Sequence, residues 1–293
     1  MKIAYIISAY KYPEQLIRLI DRLNTERTHF FVHLDKKMDD RIYFHLVERL
    51  QHFPNVCLLE RHKCYWGDFG HVKASIKGIE EIFKNNIPFD YAVLLTGQDY
   101  PIKSNSQIEA FFKQNERKSF MEYFALPFEK WPKTGGLDRI ENWHFILFNK
   151  HLSVPIKRSF PKGLQPFAGS SYWCLSRECV EYIHDFISNN NDYVKYFKYV
   201  FISDEIFFHT ILLNSPFKDT IINDSLRYIK WPTKAASRRE MCSPRILGKN
   251  DLEDIAKSPK LFARKFDLTK DAEVLDLIDQ KILSVNSYVG YKT

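Results

Sequence analysis

The chain has no apolar run long enough to cross a bilayer, no internal repeat, no low-complexity tract and no stretch that reads as a linker. Met1 and Lys2 lead straight into Ile3-Ala4-Tyr5-Ile6-Ile7, too short for a signal sequence or a span, so this segment reads as a first strand. Cysteine is scarce, with five residues at 57, 64, 174, 179 and 242 and no C-x-x-C pair. The odd count argues against a complete disulfide framework and points to a reducing cytoplasm. There is no G-x-S-x-G, no H-E-x-x-H and no Asp-rich cluster, so neither a serine hydrolase nor a metallohydrolase finds its reactive group here. The net charge is +7, yet no zinc-finger, helix-turn-helix or RNA-binding motif accompanies it. That charge suits a phosphate-bearing small molecule, or a loose, salt-sensitive contact with the inner face of an anionic membrane, better than nucleic acid.

What is present is a globular composition. The 293 residues are 45% apolar and rich in Phe and Tyr, enough for ample core. The N-terminal part alternates strand and helix patterns: strands at 3–7, 30–34, 56–59 and 91–95, and apolar residues at helical spacing over 14–23, 42–50 and 71–83. This order predicts an α/β fold with a mostly parallel sheet and helices on both faces. Ligands of such sheets bind at the carboxyl ends of the strands. That puts Ser8 to Tyr10, Asp35 and Thr96-Gly97-Gln98-Asp99 on one rim. Beyond residue 105 the pattern loosens: 131–143 reads as a polar, aromatic loop region, 169–175 as a strand and 177–187 as a helix. Past Trp231 the chain is basic and irregular until residue 251, where short helices finish it.

The segment Phe201-Ile202-Ser203-Asp204-Glu205 places two adjacent carboxylates at the mouth of an apolar run, 206–213, that reads as a buried helix. Ser203 is expected to cap that helix, with Asp204 and Glu205 in its first turn and favoured by the helix dipole.

Several segments together resemble one family. They are Val32-His33-Leu34-Asp35-Lys36-Lys37, Tyr65-Trp66-Gly67-Asp68, Leu94-Leu95-Thr96-Gly97-Gln98-Asp99-Tyr100-Pro101-Ile102-Lys103, Pro166-Phe167-Ala168-Gly169-Ser170-Ser171-Tyr172, Ser203-Asp204-Glu205, Tyr228-Ile229-Lys230-Trp231 and Leu261-Phe262-Ala263-Arg264-Lys265-Phe266-Asp267. In this order they are similar to glycosyltransferase family 14, the core-2/I-branching N-acetylglucosaminyltransferases and peptide O-xylosyltransferases. The resemblance implies a GT-A-like nucleotide-sugar fold, a UDP-sugar donor carrying N-acetylglucosamine or xylose, inversion at the anomeric carbon, and no divalent metal or other cofactor. On that reading residues 1–293 form a single glycosyltransferase domain, with a nucleotide-binding half at 1–105, an acceptor and catalytic half at 106–230, and a basic C-terminal extension at 231–293.

The residues agree about the metal, because the chain contains no Asp-x-Asp triplet of the kind that holds Mn²⁺ or Mg²⁺ beside a diphosphate. Fixed cations would then neutralise the departing UDP. By resemblance Lys265 is the diphosphate-binding lysine, and its arginine partner is Arg245, with Arg238 and Arg239 as rivals. Glu205 matches the catalytic glutamate, the general base that takes the acceptor hydroxyl's proton, and Asp204 is an orienting neighbour.

By the same resemblance nucleotide recognition falls to Asp35, at the uracil or ribose unless it only caps a turn, and to Trp66, with Tyr65 as its rival, stacking on the base. Asp99 either holds a donor-sugar hydroxyl or caps the turn before Pro101. By resemblance Trp231 faces the acceptor sugar, unless it is a core residue. Residues 125–160 do not align and are where acceptor choice should lie. Without the anchor and disulfides of the animal enzymes, the sequence suggests a bacterial relative at work in the cytoplasm on surface-polysaccharide or lipid-linked precursors. The competing functions are a nucleotide-sugar or phosphate-ester hydrolase on the same scaffold, and a non-catalytic carbohydrate-binding protein.

Overall fold

A computed structural model describes residues 1–147, 150–233 and 243–284. In chain order its first half runs β1 (Ile3–Ala9), α1 (Pro13–Leu23), β2 (Thr28–Leu34), α2 (Asp40–Leu50), β3 (Val56–Leu58), α3 (Gly70–Lys84), β4 (Tyr91–Thr96), β5 (Tyr100–Pro101) and α4 (Asn105–Gln114). There follow β6 (Ser119–Ala125), α5 (Pro132–Gly135), α6 (Leu137–Glu141), β7 (Trp143–Leu147), β8 (Lys150–Val154), β9 (Phe167–Ser176), α7 (Arg177–Asn189), α8 (Asn191–Phe197) and α9 (Phe207–Leu213). The strands β10 (Ile221–Ile222), β11 (Arg227–Ile229) and β12 (Phe262–Arg264) come last, with short helices at Leu252–Lys257 and Val274–Ile278.

Successive residues of a strand point to opposite faces, so a strand apolar throughout needs cover on both. In β1, Ile3, Tyr5 and Ile7 enter one buried cluster while Ala4 and Ile6 enter another. β2 and β4 repeat the division: Phe30, Val32, Tyr91, Val93 and Leu95 join the first cluster, Phe31 and Ala92 the second. The helices divide accordingly. α1 and α2 bring Leu16, Leu19, Ile20, Leu23, Leu46 and Leu50 to the first face, and α3 brings Val72, Ile76, Ile79 and Ile82 to the second. Within the first cluster Tyr5 and Phe30 stack at 5.4 Å. Truncating such a buried aromatic to Ala typically costs about 3–5 kcal/mol.

The main sheet has seven strands in the order β10-β6-β9-β4-β1-β2-β3. β1 pairs parallel with both β2 and β4, and β2 with β3, whereas β9 runs antiparallel between β4 and β6. The parallel strands finish together: the Gly97 amide donates to Ser8 O at 3.0 Å and the Asp35 amide to Ala9 O at 2.9 Å. A second sheet, β11-β12-β5, sits beyond the end of β4, and β7 with β8 forms a separate hairpin.

Two expectations need correction. Residues 131–143 are not a loop: Pro132 opens α5, and Gly135 and Gly136, at φ 65° and 91°, turn the chain into α6. Pro suits a first helical turn and Gly a left-handed one, so the residues that suggest a loop instead punctuate two short helices. Past residue 251 the chain does not finish in short helices alone: between them lies β12, whose three residues pair with β11 and β5. Among the described residues no helix is long and apolar enough to cross a membrane.

Candidate active site

The apolar run that follows the carboxylates folds as its composition demands. Every residue of α9 is buried. The residues before it do not extend that helix. Ser203–Glu205 form a separate 3₁₀ turn, entered through Ile202 at φ 53°, ψ 53°. Ser203 therefore does not cap α9; it is wholly buried and its hydroxyl donates to Asp68 O at 3.2 Å. A left-handed conformation is unfavourable for a β-branched residue, and here the Ile202 amide is held by Gly67 O at 2.8 Å.

That turn presents the two acids to different partners. Asp204 accepts the Ser171 hydroxyl of β9 at 2.8 Å. Glu205 Oε2 accepts from Arg139 Nη1 of α6 at 2.7 Å, and the Arg139 guanidinium lies 3.6 Å from the centre of the Trp131 ring. Glu205 Oε1 has no hydrogen-bond partner among the described residues. Desolvation pushes the Glu205 carboxyl up to about 7; the Arg139 charge opposes the rise and the Asp204 charge adds to it.

The same turn is stitched to the segment Tyr65 to Asp68. Gly67, at φ 83°, leaves no room for a side chain, because a Cβ there would come within 2.6 Å of the Phe201 ring. Trp66 is 65% exposed and meets Phe201 edge-on at 5.4 Å. Tyr65 lies under the Lys37 ammonium at 4.5 Å. Asp35, buried at the end of β2, accepts the Lys37 amide at 2.8 Å and the Cys64 amide at 3.3 Å. Its carboxylate thus braces the loop behind Tyr65 and Trp66.

Asp99 behaves differently from a donor-sugar ligand. It is fully buried and accepts the Thr96 amide at 2.6 Å, the Thr96 hydroxyl at 2.7 Å and Arg264 at 3.2 Å. It holds the turn after β4 and neutralises Arg264, which also stacks on Tyr172 at 4.1 Å. Next to Arg264, Lys265 stands over the end of β4, where the following residue's amide binds Gln98 O at 2.9 Å. Lys265 makes no ion pair among the described residues. Burial first, then repulsion from Arg264 and Lys11, lowers its affinity for a proton. Arg245 is exposed, and its amide binds Lys230 O at 2.8 Å, two residues before the Leu247 amide binds Lys265 O. Arg238 and Arg239 lie outside the described residues. Trp231 is 55% exposed and so is no core residue.

Among the described residues one set of side chains has metal-like spacing: His33, His62 and Cys64 bring potential ligand atoms within 4.8 Å of one another. Each is otherwise engaged or neutralised. His33 Nε2 accepts the His62 amide at 3.2 Å, His62 Nε2 meets Gly70 O at 2.9 Å, and burial raises the Cys64 thiol so that it keeps its proton. A nitrogen and sulfur set suits a borderline-soft ion, not the hard cations that accompany diphosphates. Cys57, Cys64, Cys174 and Cys179 are all free thiols.

Comparison with known proteins then bears on this arrangement. Residues 3–256 match the sequence profile of the core-2/I-branching enzymes. The chain belongs to the core-2/I-branching enzyme family. Xylosyltransferase 2 of Rattus norvegicus is 27% identical over 95% of this chain and 33% of its own length, and xylosyltransferase 1 of Homo sapiens is 24% identical over 95% and 30%. The chain thus spans about a third of the length of these relatives. A solved 4-diphosphocytidyl-2C-methyl-D-erythritolsynthase from Anaerococcus prevotii DSM 20548 overlays with a TM-score of 0.34 at 9% identity, covering 65% of this chain and 75% of its own. So loose a likeness adds nothing to the topology given by the strand pairing.

In this family member the structure gathers Trp66, Asp204 and Glu205 around one pair of carbonyls, and Asp35 and Lys265 at the ends of the parallel strands. Sequence reasoning overlooked Arg139, Ser171, Tyr172 and Arg264. Arg139 sits in a helix disguised as a loop, and the other three are ordinary members of segments used only to recognise the family.

Proposed function

We propose that the chain is a glycosyltransferase that moves a sugar, N-acetylglucosamine or xylose, from a UDP-sugar to a hydroxyl of a glycan or lipid-linked saccharide, inverting the anomeric carbon without a divalent metal. The supporting observation is Glu205: a carboxylate tuned to about 7, with one oxygen anchored by Arg139 and the other open. A base works best when its proton affinity lies near the operating pH and its position is fixed. In the proposed step the acceptor oxygen forms a bond to the anomeric carbon from the face opposite UDP. Its proton passes to Glu205, and the bond to the diphosphate breaks with its electrons remaining on UDP. Lys265, an ammonium with no ion pair among the described residues, supplies compensating charge there, joined by Arg245. Asp35 and Trp66 receive the uridine, and Trp231 the acceptor. The charge of +7 supports at most a loose membrane contact.

The test is Glu205→Gln, which keeps shape but cannot take the proton. Transfer from UDP-N-acetylglucosamine or UDP-xylose should fall by about 10²–10⁴-fold while UDP affinity stays within a few fold. Unchanged transfer would assign the acid pair to structure alone.

A further inference from the structure

Behind the segment that carries Trp66 lies a cleft of about 410 Å³, bounded by residues 62–70, Lys73, the β7 strand and residues 198–200. We propose that this cleft binds the anionic portion of a saccharide acceptor, a carboxylate or phosphate group borne on sugar residues adjoining the reacting one; this rests on the transferase reading above.

Charge carries the argument. Lys63, Lys73 and Lys198 line the cleft from three separate elements. All three are exposed, and none forms an ion pair among the described residues. The cleft's one carboxylate, Asp68, is turned to the Gly70 amide at 2.8 Å. Three converging cations against a single carboxylate raise the local concentration of anions.

Shape and position point to a saccharide rather than a free ion. Tyr65 and Tyr199 lend ring surface to the walls, the kind of face on which the C–H side of a sugar packs. The volume lies within the range of about 300–1,000 Å³ usual for small-molecule sites, well beyond what one phosphate fills. The floor of the cleft is Gly67 and Asp68, whose carbonyls hold Ile202 and Ser203 on the Glu205 turn. A saccharide anchored by the lysines therefore lies on the same wall that positions the proposed base. The β7 wall also belongs to residues 125–160, the segment in which acceptor choice was expected.

The experiment measures binding of tetragalacturonate, a phosphorylated oligomannoside and neutral maltotetraose to the full chain and to its Lys63→Ala/Lys73→Ala/Lys198→Ala variant, with UDP as control. At least one anionic oligosaccharide should bind the unmodified protein about tenfold or more tighter than maltotetraose, and the variant should lose about that factor, as expected for charge-assisted hydrogen bonds. Which of the two anions prevails identifies carboxylate or phosphate as the group recognised. Equal binding of charged and neutral sugars, or an unaltered anion affinity in the variant, overturns the proposal. So does a variant that loses only its binding to phosphatidylserine vesicles, which would make the cleft a membrane contact. UDP affinity should stay within about twofold in the variant. Loss of UDP binding by the unmodified protein would strike the transferase reading and leave the saccharide comparison interpretable.

Discussion

Arg139 donates to one oxygen of Glu205 at 2.7 Å and leaves the other without a hydrogen-bond partner among the described residues. The pair combines opposing influences: desolvation favours the protonated acid, and the guanidinium favours the carboxylate. Both partners are part-exposed, with side-chain accessibilities of 21% for Arg139 and 30% for Glu205, so the bridge orients the acid more than it stabilises the fold.

A pH profile follows directly. With Glu205 pushed up to about 7, kcat/KM should fall about tenfold per pH unit below neutrality, because only the ionised form accepts a proton. Removing the positive charge in Arg139→Ala takes away the influence that lowers the pKa, so the acid limb should move to higher pH, whereas Arg139→Lys should move it less. A limb that stays in place in Arg139→Ala would show that Glu205 does not set it.

Lys265→Ala should weaken UDP binding by about tenfold or more, the scale of a lost charge-assisted hydrogen bond, while leaving thermal stability close to that of the unaltered chain. Titrations with EDTA and with added Mn²⁺ should agree. Affinity that disappears with EDTA and returns with Mn²⁺ would overturn the metal-free reading.

Acid should destabilise the protein through two buried imidazoles. Desolvation lowers His33 and His209 to about 4 each, below the value of about 6.5 for an unfolded histidine. Between those values the unfolded chain binds more protons, so stability rises with pH and is lost as pH falls from about 6.5 to about 4. Thermal melts across that window should show the decline, and His209→Asn should flatten part of it. A Tm independent of pH in that range would contradict the burial of both rings.

Asp99→Asn should act on folding before it acts on sugar transfer. The exchange leaves Arg264 without its buried counter-charge, and breaking such a pair typically costs about 3–5 kcal/mol. The midpoint of urea unfolding should drop accordingly. A variant of normal stability with a specific defect in donor binding would restore Asp99 to the nucleotide site.

The strands and helices of the N-terminal half were legible because each apolar pattern there is long, regular and covered locally by the next element. The boundaries at β1, α1 and α3 moved by only a few residues. Elements that depend on remote partners were not legible in this way. β12 is three residues whose strand character comes from pairing with β11 and β5, and α6 hides between two glycines and a tryptophan. The site divides in the same manner. Glu205 stands out in the sequence through its acidic neighbour and the family resemblance, but Arg139 is invisible from it, because nothing in either local pattern reports that they meet. Ser203 shows the converse, a good capping residue drawn to Asp68 by the turn at Ile202.

The pair of carbonyls at Gly67 and Asp68 has a practical consequence for redesign. The loop that displays Trp66 and the turn that displays Glu205 share these anchors, so they behave as one mechanical piece. On the proposed transferase reading, remodelling the loop to broaden nucleotide preference would displace the acid as well, so gains in donor scope would arrive coupled to losses in turnover. Under that reading, library designs that vary residues 65–68 together with 201–203 would search the two properties jointly, where varying either segment alone would disturb the shared anchors.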